Sequence, residues 1–404
     1  MNILFILPQI PYPPHSGGRI VTWNTVKRFA RACKVSVVCL YHHPDELKDL
    51  HKVEEICEEV KAFPAWGKWS PLPMLKSLVS TSPYKAHRFY NAEMDRYIRE
   101  LLQRKRFDVI HVQNFYPTTC VRGDEDCLKV HYKENVEGNI LLRYSQRSRN
   151  PFIKAAAYIE GLRTRRFELN ACRKFDQILT ISPIDRDTLL ALDPALSIMH
   201  QRPGVDLNEY PLLDEPQGTP SVVFTGTMSY YPNSNGVYEF LRNVWQRVRA
   251  HVPEMECYIV GASPPDSIRQ FDGRDGVHIT GRVPSVGEYL QNGLIYIVPL
   301  LIGGGIRLKI LEAMASGRTI VSTPVGCEGL EGKHNEHLLI ADMPDAFADA
   351  IVELVRNPEK RQRLRSNART LAEEFYDWDT VIYQQVEYYR SRLSAAVERG
   401  LHSL

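Results

Sequence analysis

The chain has 404 residues, of which 44% are hydrophobic and 24% are charged, and this ordinary globular composition excludes a largely disordered protein. Its longest apolar runs, such as Leu294–Ile302, are far shorter than the roughly 20 residues of a membrane-spanning helix, so we expect no membrane span. A formal net charge of only +2 does not suggest a nucleic-acid-binding protein, and the length is typical of two domains.

Strand-like and helix-like stretches alternate through the first half of the chain, as in a parallel doubly wound sheet. The first apolar stretch lacks a basic leader and precedes a proline-rich loop, which predicts a buried strand and not a signal peptide. The predicted strands are Asn2–Leu7, Val35–Leu40, Asp108–Val112 and Gln177–Ile181. The predicted helices are Gly17–Arg31, Asp45–Val60, Asn91–Lys105 and Phe152–Cys172.

A stretch rich in Pro, Gly, Asp and Asn at 202–220 predicts a domain boundary, after which the same alternation begins again. The predicted strands here are Ser221–Thr225, Cys257–Val260, Val277–Ile279, Ile295–Pro299 and Thr319–Ser322. The predicted helices are Gly236–Ala250, Val286–Gln291 and Ile306–Ser316, and residues 345–404 are expected to form two or three more. The sequence therefore predicts two α/β domains with Rossmann-like doubly wound parallel sheets.

A glycine-rich loop between a strand and a helix is the most informative motif. Gly303, Gly304 and Gly305 follow the strand that ends near Pro299, and the predicted helix begins at Ile306. Such a loop binds phosphate, because glycine allows close approach of the backbone and the helix start presents free N–H groups. The motif predicts a phosphate site, although a glycine turn before a helix is also common without a ligand.

Two cations and one carboxylate follow these glycines. Arg307 and Lys309 are expected in the first helical turn, where they add positive charge to the predicted phosphate site. Glu312 lies three residues after Lys309, and a carboxylate there suits the two hydroxyl groups of a ribose. The alternative interpretation is an ordinary pair of charged residues on a helix surface.

The segment ILEAMASGRTIVST, residues 310–323, resembles the donor-site helix of family 4 glycosyltransferases, the group 1 type with the GT-B fold. Further segments resemble the same family in the same order along nearly the whole chain. These segments are ILFILPQIPYPPHSGGRI, FDVIHVQ, ILTISPIDRDTL, RPGVDLNEY, VVFTGTM, YIVGASPP, ITGRVPSVGEYL and EEFYDWDTV. The resemblance implies two Rossmann-like domains that face a central cleft.

The resemblance also implies the domain limits and the activity. Residues 1–205 would form the acceptor domain, completed by a C-terminal helix at about 380–404 that returns to it, and residues 206–379 would form the nucleotide-sugar donor domain. The implied reaction moves a sugar from a nucleotide-diphosphate donor to a glycan or lipid-linked glycan with retention of anomeric configuration. The residues that it implies for donor binding are Gly18, Gly226, Val283, Gly303, Gly304, Gly305, Ile306, Leu308 and Glu312.

The sequence departs from the family pattern in two places. The first Glu of the family's E-x7-E motif would fall at Gly304, so the carboxylate that usually contacts the transferred sugar is missing. The loop TGTMSYYPNSNG after the first donor-domain strand also lacks the basic residues that the family often has there. We therefore expect Arg307 and Lys309 to neutralise the diphosphate from the other side, and hence to be catalytic.

The expected mechanism needs neither a metal ion nor a cofactor. No convincing carboxylate pair for double displacement is present, so we expect front-face attack in which a donor phosphate oxygen accepts the acceptor proton. Asp124, Glu125 and Asp126 lie in an apparent surface turn and are not expected to bind a metal. His111 is expected at the carboxyl end of its strand, where it either orients a sugar in catalysis or is a structural histidine. Weaker candidates for acceptor contact are His15, Gly17 and Glu137.

Charge and cysteine content predict the compartment and the partners. Residues 1–200 contain 30 Lys and Arg against 22 Asp and Glu, a net of +8, whereas residues 201–404 contain 20 against 26, a net of −6. The basic excess in 61–106 and 143–174 predicts peripheral contact with an anionic membrane or acidic acceptor, or else solvated helix faces. Eight scattered cysteines without a C-x-x-C pair predict reduced thiols, and hence a cytoplasmic protein, either free or peripheral at the inner face of the membrane.

Two other functions fit the same fold. A nucleotide-sugar epimerase would need further acid and base residues around the donor sugar, and no matched set is evident. A non-catalytic nucleotide-sugar-binding assembly protein would not require the full set of Arg307, Lys309 and Glu312. A Rossmann oxidoreductase is disfavoured, because PQIPYPPHSGG follows the first strand where G-x-G-x-x-G is expected.

Overall fold

The structure, a computed structural model, describes residues 1–67, 70–78, 80–148, 150–303 and 306–398. The chain forms two compact units. Unit 1 contains Met1–Arg202 together with the chain from Asp379 onward, and unit 2 contains Pro203–Trp378. Unit 2 is thus inserted between two segments of unit 1. No helix among the described residues is long and apolar enough to cross a membrane.

Unit 1 is built on a seven-stranded parallel sheet with the strand order β3-β2-β1-β4-β5-β6-β7. Its strands are β1 (Asn2–Leu7), β2 (Lys34–Tyr41), β3 (Glu59–Pro64), β4 (Val109–Gln113), β5 (Leu128–Lys133), β6 (Gln177–Thr180) and β7 (Ile198–His200). Its helices are α1 (Gly17–Ala32), α2 (His51–Glu54), α3 (Pro71–Leu78), α4 (Tyr84–Phe89), α5 (Ala92–Arg104), α6 (Glu137–Arg147), α7 (Pro151–Cys172) and α8 (Pro183–Leu192). Short 3-10 helices span Pro44–Asp49 and Tyr116–Cys120.

Unit 2 repeats the plan with a six-stranded parallel sheet of order β10-β9-β8-β11-β12-β13. Its strands are β8 (Ser221–Thr225), β9 (Glu256–Val260), β10 (Val277–Gly281), β11 (Ile295–Val298), β12 (Thr319–Ser322) and β13 (Leu339–Ile340). Its helices are α9 (Tyr231–Asn243), α10 (Trp245–His251), α11 (Asp266–Arg269), α12 (Gly287–Asn292), α13 (Leu308–Ala315), α14 (Pro344–Arg356) and α15 (Pro358–Phe375). The last helix, α16 (Trp378–Glu398), belongs to unit 1 from Asp379 onward.

Local chemistry accounts for many of these boundaries. The side chains of Asn91, Asn150, Ser182 and Asn357 accept hydrogen bonds from the first backbone N–H groups of α5, α7, α8 and α15. Proline occupies an early position of α7, α8, α14 and α15, where its missing N–H costs nothing. The central strands are buried over nearly their whole length, as expected for parallel strands that are covered on both faces.

The doubly wound α/β architecture is confirmed, but several predicted elements are wrong. The predicted helix Asp45–Val60 is a 3-10 helix and the short α2, and it is followed by the edge strand β3. The predicted helix Gly236–Ala250 is two helices, α9 and α10, and begins five residues earlier. Strand β5 was not predicted, because Lys129, His131 and Lys133 interrupt its apolar pattern although all three are buried.

Helix α16 is fixed to the rest of unit 1 by polar contacts, most of whose side chains are buried. The guanidinium of Arg28 on α1 donates to Asp379 at 2.6 Å. The amide of Gln385 donates to the hydroxyl of Tyr389 at 2.7 Å, and that hydroxyl donates to Nδ1 of His111 at 2.9 Å. His111 is therefore assigned as the neutral tautomer with its proton on Nε2. This hydrogen-bond chain joins the end of the chain to the centre of the first sheet.

We predict that Tyr389→Phe destabilises unit 1 by about 1–3 kcal/mol, because it leaves buried polar atoms of His111 and Gln385 without a partner. The matched control is Tyr383→Phe on the same helix, since Tyr383 is 66% exposed. The control should change the free energy of unfolding by less than about 0.5 kcal/mol. Urea unfolding followed by tryptophan fluorescence measures both variants. Equal stability of the two variants would show that the hydrogen-bond chain contributes nothing.

Candidate functional site

The candidate site in unit 2 lies at the carboxyl edge of its sheet. The strand order changes direction between β8 and β11, and the loops that follow these two strands lie on either side of this point. Ligands of open parallel sheets bind at such a crevice. The loop after β11 leads into α13, which carries the predicted Lys309 and Glu312.

The loops after β8 and β9 touch through their glycines. Gly226 and Gly261 have φ of 155° and 153°, a region that residues with a side chain rarely adopt. A Cβ on Gly261 would overlap the carbonyl oxygen of Gly226. The Gly226 N–H donates to the carbonyl of Val260 at 2.9 Å, and the Met228 N–H donates to the carbonyl of Ala262 at 2.8 Å. These contacts fix the floor of the candidate site with backbone groups.

The ammonium of Lys309 lies directly above this floor. Its Nζ donates to Oδ1 of Asn233 at 3.0 Å and lies 4.1 Å from the ring centroid of Phe224. A Cβ at Gly226 would be only 2.5 Å from Nζ, so the ammonium uses the space that glycine leaves. Lys309 thus extends from α13 to the loop after β8, where the sequence itself supplies no base.

Burial lowers the pKa of Lys309 to about 7, although Glu312 acts in the opposite direction; the positive charge of Arg307 lowers the pKa further. Glu312 is partly buried, and burial raises the pKa of its carboxyl group. The Tyr210 hydroxyl donates to Glu312, and this hydrogen bond and Lys309 partly offset that rise. The site therefore holds an amine that changes its charge near neutral pH.

Arg307 differs from the prediction. Helix α13 begins at Leu308 and not at Ile306, so Arg307 is the residue before the helix and has extended backbone angles. Its guanidinium folds back onto Gly303, where a Cβ would overlap it. The side chain of Ile306 is buried, and that of Leu308 packs against the same core. Gly304 and Gly305 lie outside the described residues.

Val283 follows β10 and packs partly against the core of unit 2. Since β10 is the third strand from β11, Val283 lies further along the same edge of the sheet. Asn233 and Tyr210 were not singled out from the sequence. Their segments, YYPNSNG and RPGVDLNEY, carry no signal that distinguishes these side chains from ordinary loop residues.

The corresponding edge of unit 1 brings together Gly18 and a carboxylate that the sequence analysis missed. Glu134 follows β5, and a Cβ on Gly18 would lie 3.1 Å from its Oε2. The amide of Gln113, at the end of β4, donates to Glu134 at 3.3 Å. Burial raises the pKa of Glu134, against the effect of this hydrogen bond, and Glu137 raises it further. Gly17 begins α1, beside Gly18.

The other predicted residues of unit 1 lie elsewhere. His15 is exposed in the loop before α1. The carboxylate of Glu137 is 2.9 Å from Nζ of Lys85, which also donates to the Tyr116 hydroxyl, so Glu137 has a structural partner. The segment NVEGN around Glu137 gives no indication that its carboxylate is paired.

The expectation that His111 ends its strand is wrong. β4 continues to Gln113, and His111 is fully buried among the rings of Phe5, Phe29, Tyr132 and Tyr389. Burial lowers its pKa to about 3, so the ring is neutral at physiological pH. This enclosure favours the structural alternative and argues against direct contact with a substrate.

The stability of the protein should depend on pH through Lys309, because its pKa is about 7 in the folded state and 10.5 in the unfolded state. Between these values the unfolded state binds more protons, so stability rises with pH and the penalty for the buried charge is complete below pH 7. Lys309→Met should abolish this contribution. The difference in unfolding free energy, wild type minus variant, should rise by about 1–3 kcal/mol between pH 7 and pH 9.5.

The control for this experiment is Lys333→Met in the same unit, since the Lys333 side chain is 72% exposed. Its difference from wild type should not change over the same pH range. Urea unfolding at the two pH values measures both variants. A Lys309→Met difference as flat as that of Lys333→Met would show that the amine is solvated and titrates normally.

Comparisons with known proteins show similarity in sequence and in fold. A family model described as "Glycosyl transferases group 1" matches residues 219–357, which lie within unit 2. A Klebsiella pneumoniae protein described as "Uncharacterized 44.6 kDa protein in cps region" is 23% identical over 397 residues, or 93% of this chain and 96% of that protein. A "Phosphatidyl-myo-inositol mannosyltransferase" of Mycobacterium leprae is 30% identical over 149 residues, or 34% of this chain and 40% of that protein.

The fold comparison extends over both units. The crystal structure of Anabaena Alr3699/HepE in complex with UDP matches with a TM-score of 0.69 and 13% identity, over 97% of this chain and all of that chain. At this level of identity the match reports on the fold alone. The two parallel-sheet units have the fold of GT-B glycosyltransferases, and residues 219–357 form a group 1 glycosyltransferase domain.

Proposed function

We propose that this protein is a glycosyltransferase that moves a sugar from a nucleotide-diphosphate donor to a glycan or lipid-linked glycan. The observation that carries the proposal is the ammonium of Lys309, which lies beside Gly226 at the change of strand order between β8 and β11. A donor diphosphate supplies the negative charge that this partly buried ammonium needs. The UDP held by HepE, a protein of the same fold, supports a nucleotide diphosphate as the donor.

Departure of the nucleotide diphosphate is the step that the site favours. As the bond between the sugar and the phosphate breaks, negative charge grows on the leaving phosphate. Lys309 is held at Asn233 and Phe224, so its charge opposes that growth without rearrangement. Arg307 folds over Gly303 and adds a second charge, and Glu312, held by Tyr210, accepts the ribose hydroxyls. In this proposal the two cations stabilise the leaving phosphate, so the step needs no metal ion.

We propose retention of anomeric configuration by front-face attack. The acceptor oxygen forms its bond to the anomeric carbon as the phosphate oxygen leaves, and a donor phosphate oxygen takes the acceptor proton. Glu134 is a second carboxylate at a carboxyl sheet edge, and we assign it to hydrogen bonding of an acceptor hydroxyl. This assignment replaces Glu137, whose carboxylate is paired with Lys85.

We place the reaction at the cytoplasmic face of a membrane, with peripheral contact through the basic unit 1. The eight cysteines are free thiols, which fits a reducing compartment. The net charge of +8 over residues 1–200 fits an anionic surface or an acidic acceptor. A lipid-linked acceptor is also consistent with the phosphatidyl-myo-inositol mannosyltransferase that resembles part of this chain.

The first test measures thermal shifts of the wild type with UDP, GDP, TDP, ADP and CDP and with their sugar conjugates. One nucleotide family should raise Tm, because a ligand that binds only the folded state stabilises it. Arg307→Ala and Lys309→Met should each lower the affinity for that nucleotide at least about tenfold, because each variant loses a charged contact. Lys333→Met should respond like the wild type. A wild type that no nucleotide stabilises would refute the proposed donor site.

A second prediction concerns the acceptor. Glu134→Gln should lower kcat/KM for the acceptor at least about tenfold, because an amide is a weaker acceptor of a hydroxyl hydrogen bond than a carboxylate. The nucleotide-induced thermal shift should be unchanged. Glu100→Gln, an exposed site on α5, is the control and should transfer sugar at the wild-type rate. Normal transfer by Glu134→Gln would remove Glu134 from the mechanism.

A further inference from the structure

Helices α6 and α7 form a hairpin whose two arms are packed closely at one end. A Cβ on Gly138 would lie 2.8 Å from the backbone nitrogen of Arg165, and one on Gly161 would lie 3.0 Å from Leu142. The two glycines therefore allow a helix contact that larger residues would prevent. Glu168 of α7 fixes the same end of the hairpin.

The buried carboxylate of Glu168 joins three elements. It accepts hydrogen bonds from the backbone N–H groups of Glu137 and Gly138 at the start of α6, at 3.0 and 2.9 Å. It also forms a 2.8 Å ion pair with Lys133 of β5, and both side chains are almost completely buried. Burial alone would lower the pKa of Lys133, but Glu168 raises it above its ordinary value, so the ammonium stays charged. The base of the hairpin is thus anchored to the central sheet.

The other end of the hairpin, which we call the hairpin tip (residues 140–146 and 151–159), is apolar and exposed. Phe152 is 84% exposed, Ile159 57% and Tyr158 52%. Ile153, Tyr144 and Ile140 are also more than one third exposed. Single exposed apolar residues are normal, but a group of six large ones on one hairpin is typical of an interaction surface.

The charge of the same segment has one sign. From Gly138 to Ile159 the sequence contains Arg143, Arg147, Arg149 and Lys154 but no Asp or Glu. Apolar side chains flanked by cations are characteristic of protein segments that bind the interface of an anionic bilayer. A symmetric contact between two copies of this surface would bring like charges together, which disfavours self-association.

A groove of about 620 Å³ runs between the two helices. Its apolar lining includes Leu142, Ala155, Tyr158 and Leu162, and its cations are Lys154 and Arg165. None of the described residues that line it carries a carboxylate. A hydrocarbon chain with an anionic head group matches this lining, because the chain contacts apolar walls while the head group meets a cation.

We propose that the hairpin tip docks on the surface of a bilayer that contains anionic lipids. Phe152, Ile153 and Ile159 enter the acyl region, while Arg143 and Lys154 meet the lipid phosphates. The proposal identifies the surface and the partner behind the membrane contact of the proposed function. Only the reason for docking, which is to bring unit 1 to a lipid-linked acceptor, rests on the proposed function.

The test is flotation of the full chain with phosphatidylcholine vesicles, with and without about one third phosphatidylglycerol. Wild type should float with the anionic vesicles and much less with the neutral ones. The triple variant Phe152→Ser, Ile153→Ser, Ile159→Ser should bind vesicles at least about tenfold more weakly. Serine loses the favourable free energy of moving a large apolar side chain out of water. The double variant Arg143→Gln, Lys154→Gln should weaken binding to anionic vesicles alone.

The matched control is Met343→Ser with Tyr383→Ser, two exposed apolar residues away from the hairpin, and it should float like wild type. The thermal shift with the identified nucleotide should be the same for all variants, which shows that they are folded. If the triple variant floats like wild type, or if wild type does not float with anionic vesicles, the proposal is wrong. A wild-type dimer that the triple variant abolishes, without vesicle binding, would instead assign the hairpin tip to self-association.

Failure of this proposal is distinguishable from failure of the proposed function. The nucleotide response tests unit 2 and does not depend on lipid. Vesicle flotation tests the hairpin tip and needs no nucleotide. Loss of flotation with an intact nucleotide response therefore leaves the donor site in place, and the reverse result leaves the docking surface in place.

Discussion

The partly buried ammonium of Lys309 sets the requirements for the rest of the candidate site. A cation loses favourable hydration when it is buried. The amide oxygen and the aromatic face that Lys309 contacts replace only part of that hydration. The glycines at the ends of β8 and β9 leave the space, and α13 holds the stem of the side chain. The ammonium thus contacts a neutral amide and an aromatic ring, and an anion there would add a charged contact.

The same feature explains why a single residue can link stability with binding. An amine whose pKa is near 7 exists in both charge states under physiological conditions. A phosphate bound there would favour the charged state, so part of the free energy that burial of the ammonium costs would be recovered on binding. Arg307, which is outside the helix, adds a charge that does not titrate in this range.

Hydrophobic periodicity was sufficient to predict the doubly wound α/β architecture, whereas the phosphate loop stays a prediction. Buried parallel strands such as β1 and β8 are continuous apolar runs, and these are visible in a single sequence. β5 was missed because its Lys133 is buried through an ion pair with Glu168, which lies 35 residues away. Local pattern cannot reveal a partner at that distance. The helix start at Leu308 was misplaced by two residues for a related reason, since loop backbone geometry depends on tertiary contacts.

The surroundings of polar residues in unit 1 were hard to predict. His111, Glu134 and Glu137 all lie at or near strand ends, and no sequence pattern reveals which of them is enclosed or paired. The structure separates them by their neighbours: His111 is enclosed by aromatic rings, Glu137 is paired with Lys85, and Glu134 faces the start of α1. The difference is one of tertiary environment, which no spacing rule encodes.

The insertion of unit 2 within unit 1 has a consequence for biosynthesis. Domains fold as units while the chain emerges from the ribosome. Unit 2 ends at Trp378, so all of it is synthesised before α16, which unit 1 requires. Until α16 arrives, His111 lacks the hydroxyl of Tyr389 and Arg28 lacks Asp379. The unit that is begun first is thus completed last, and an incomplete chain would contain a complete unit 2 and a unit 1 whose core lacks α16.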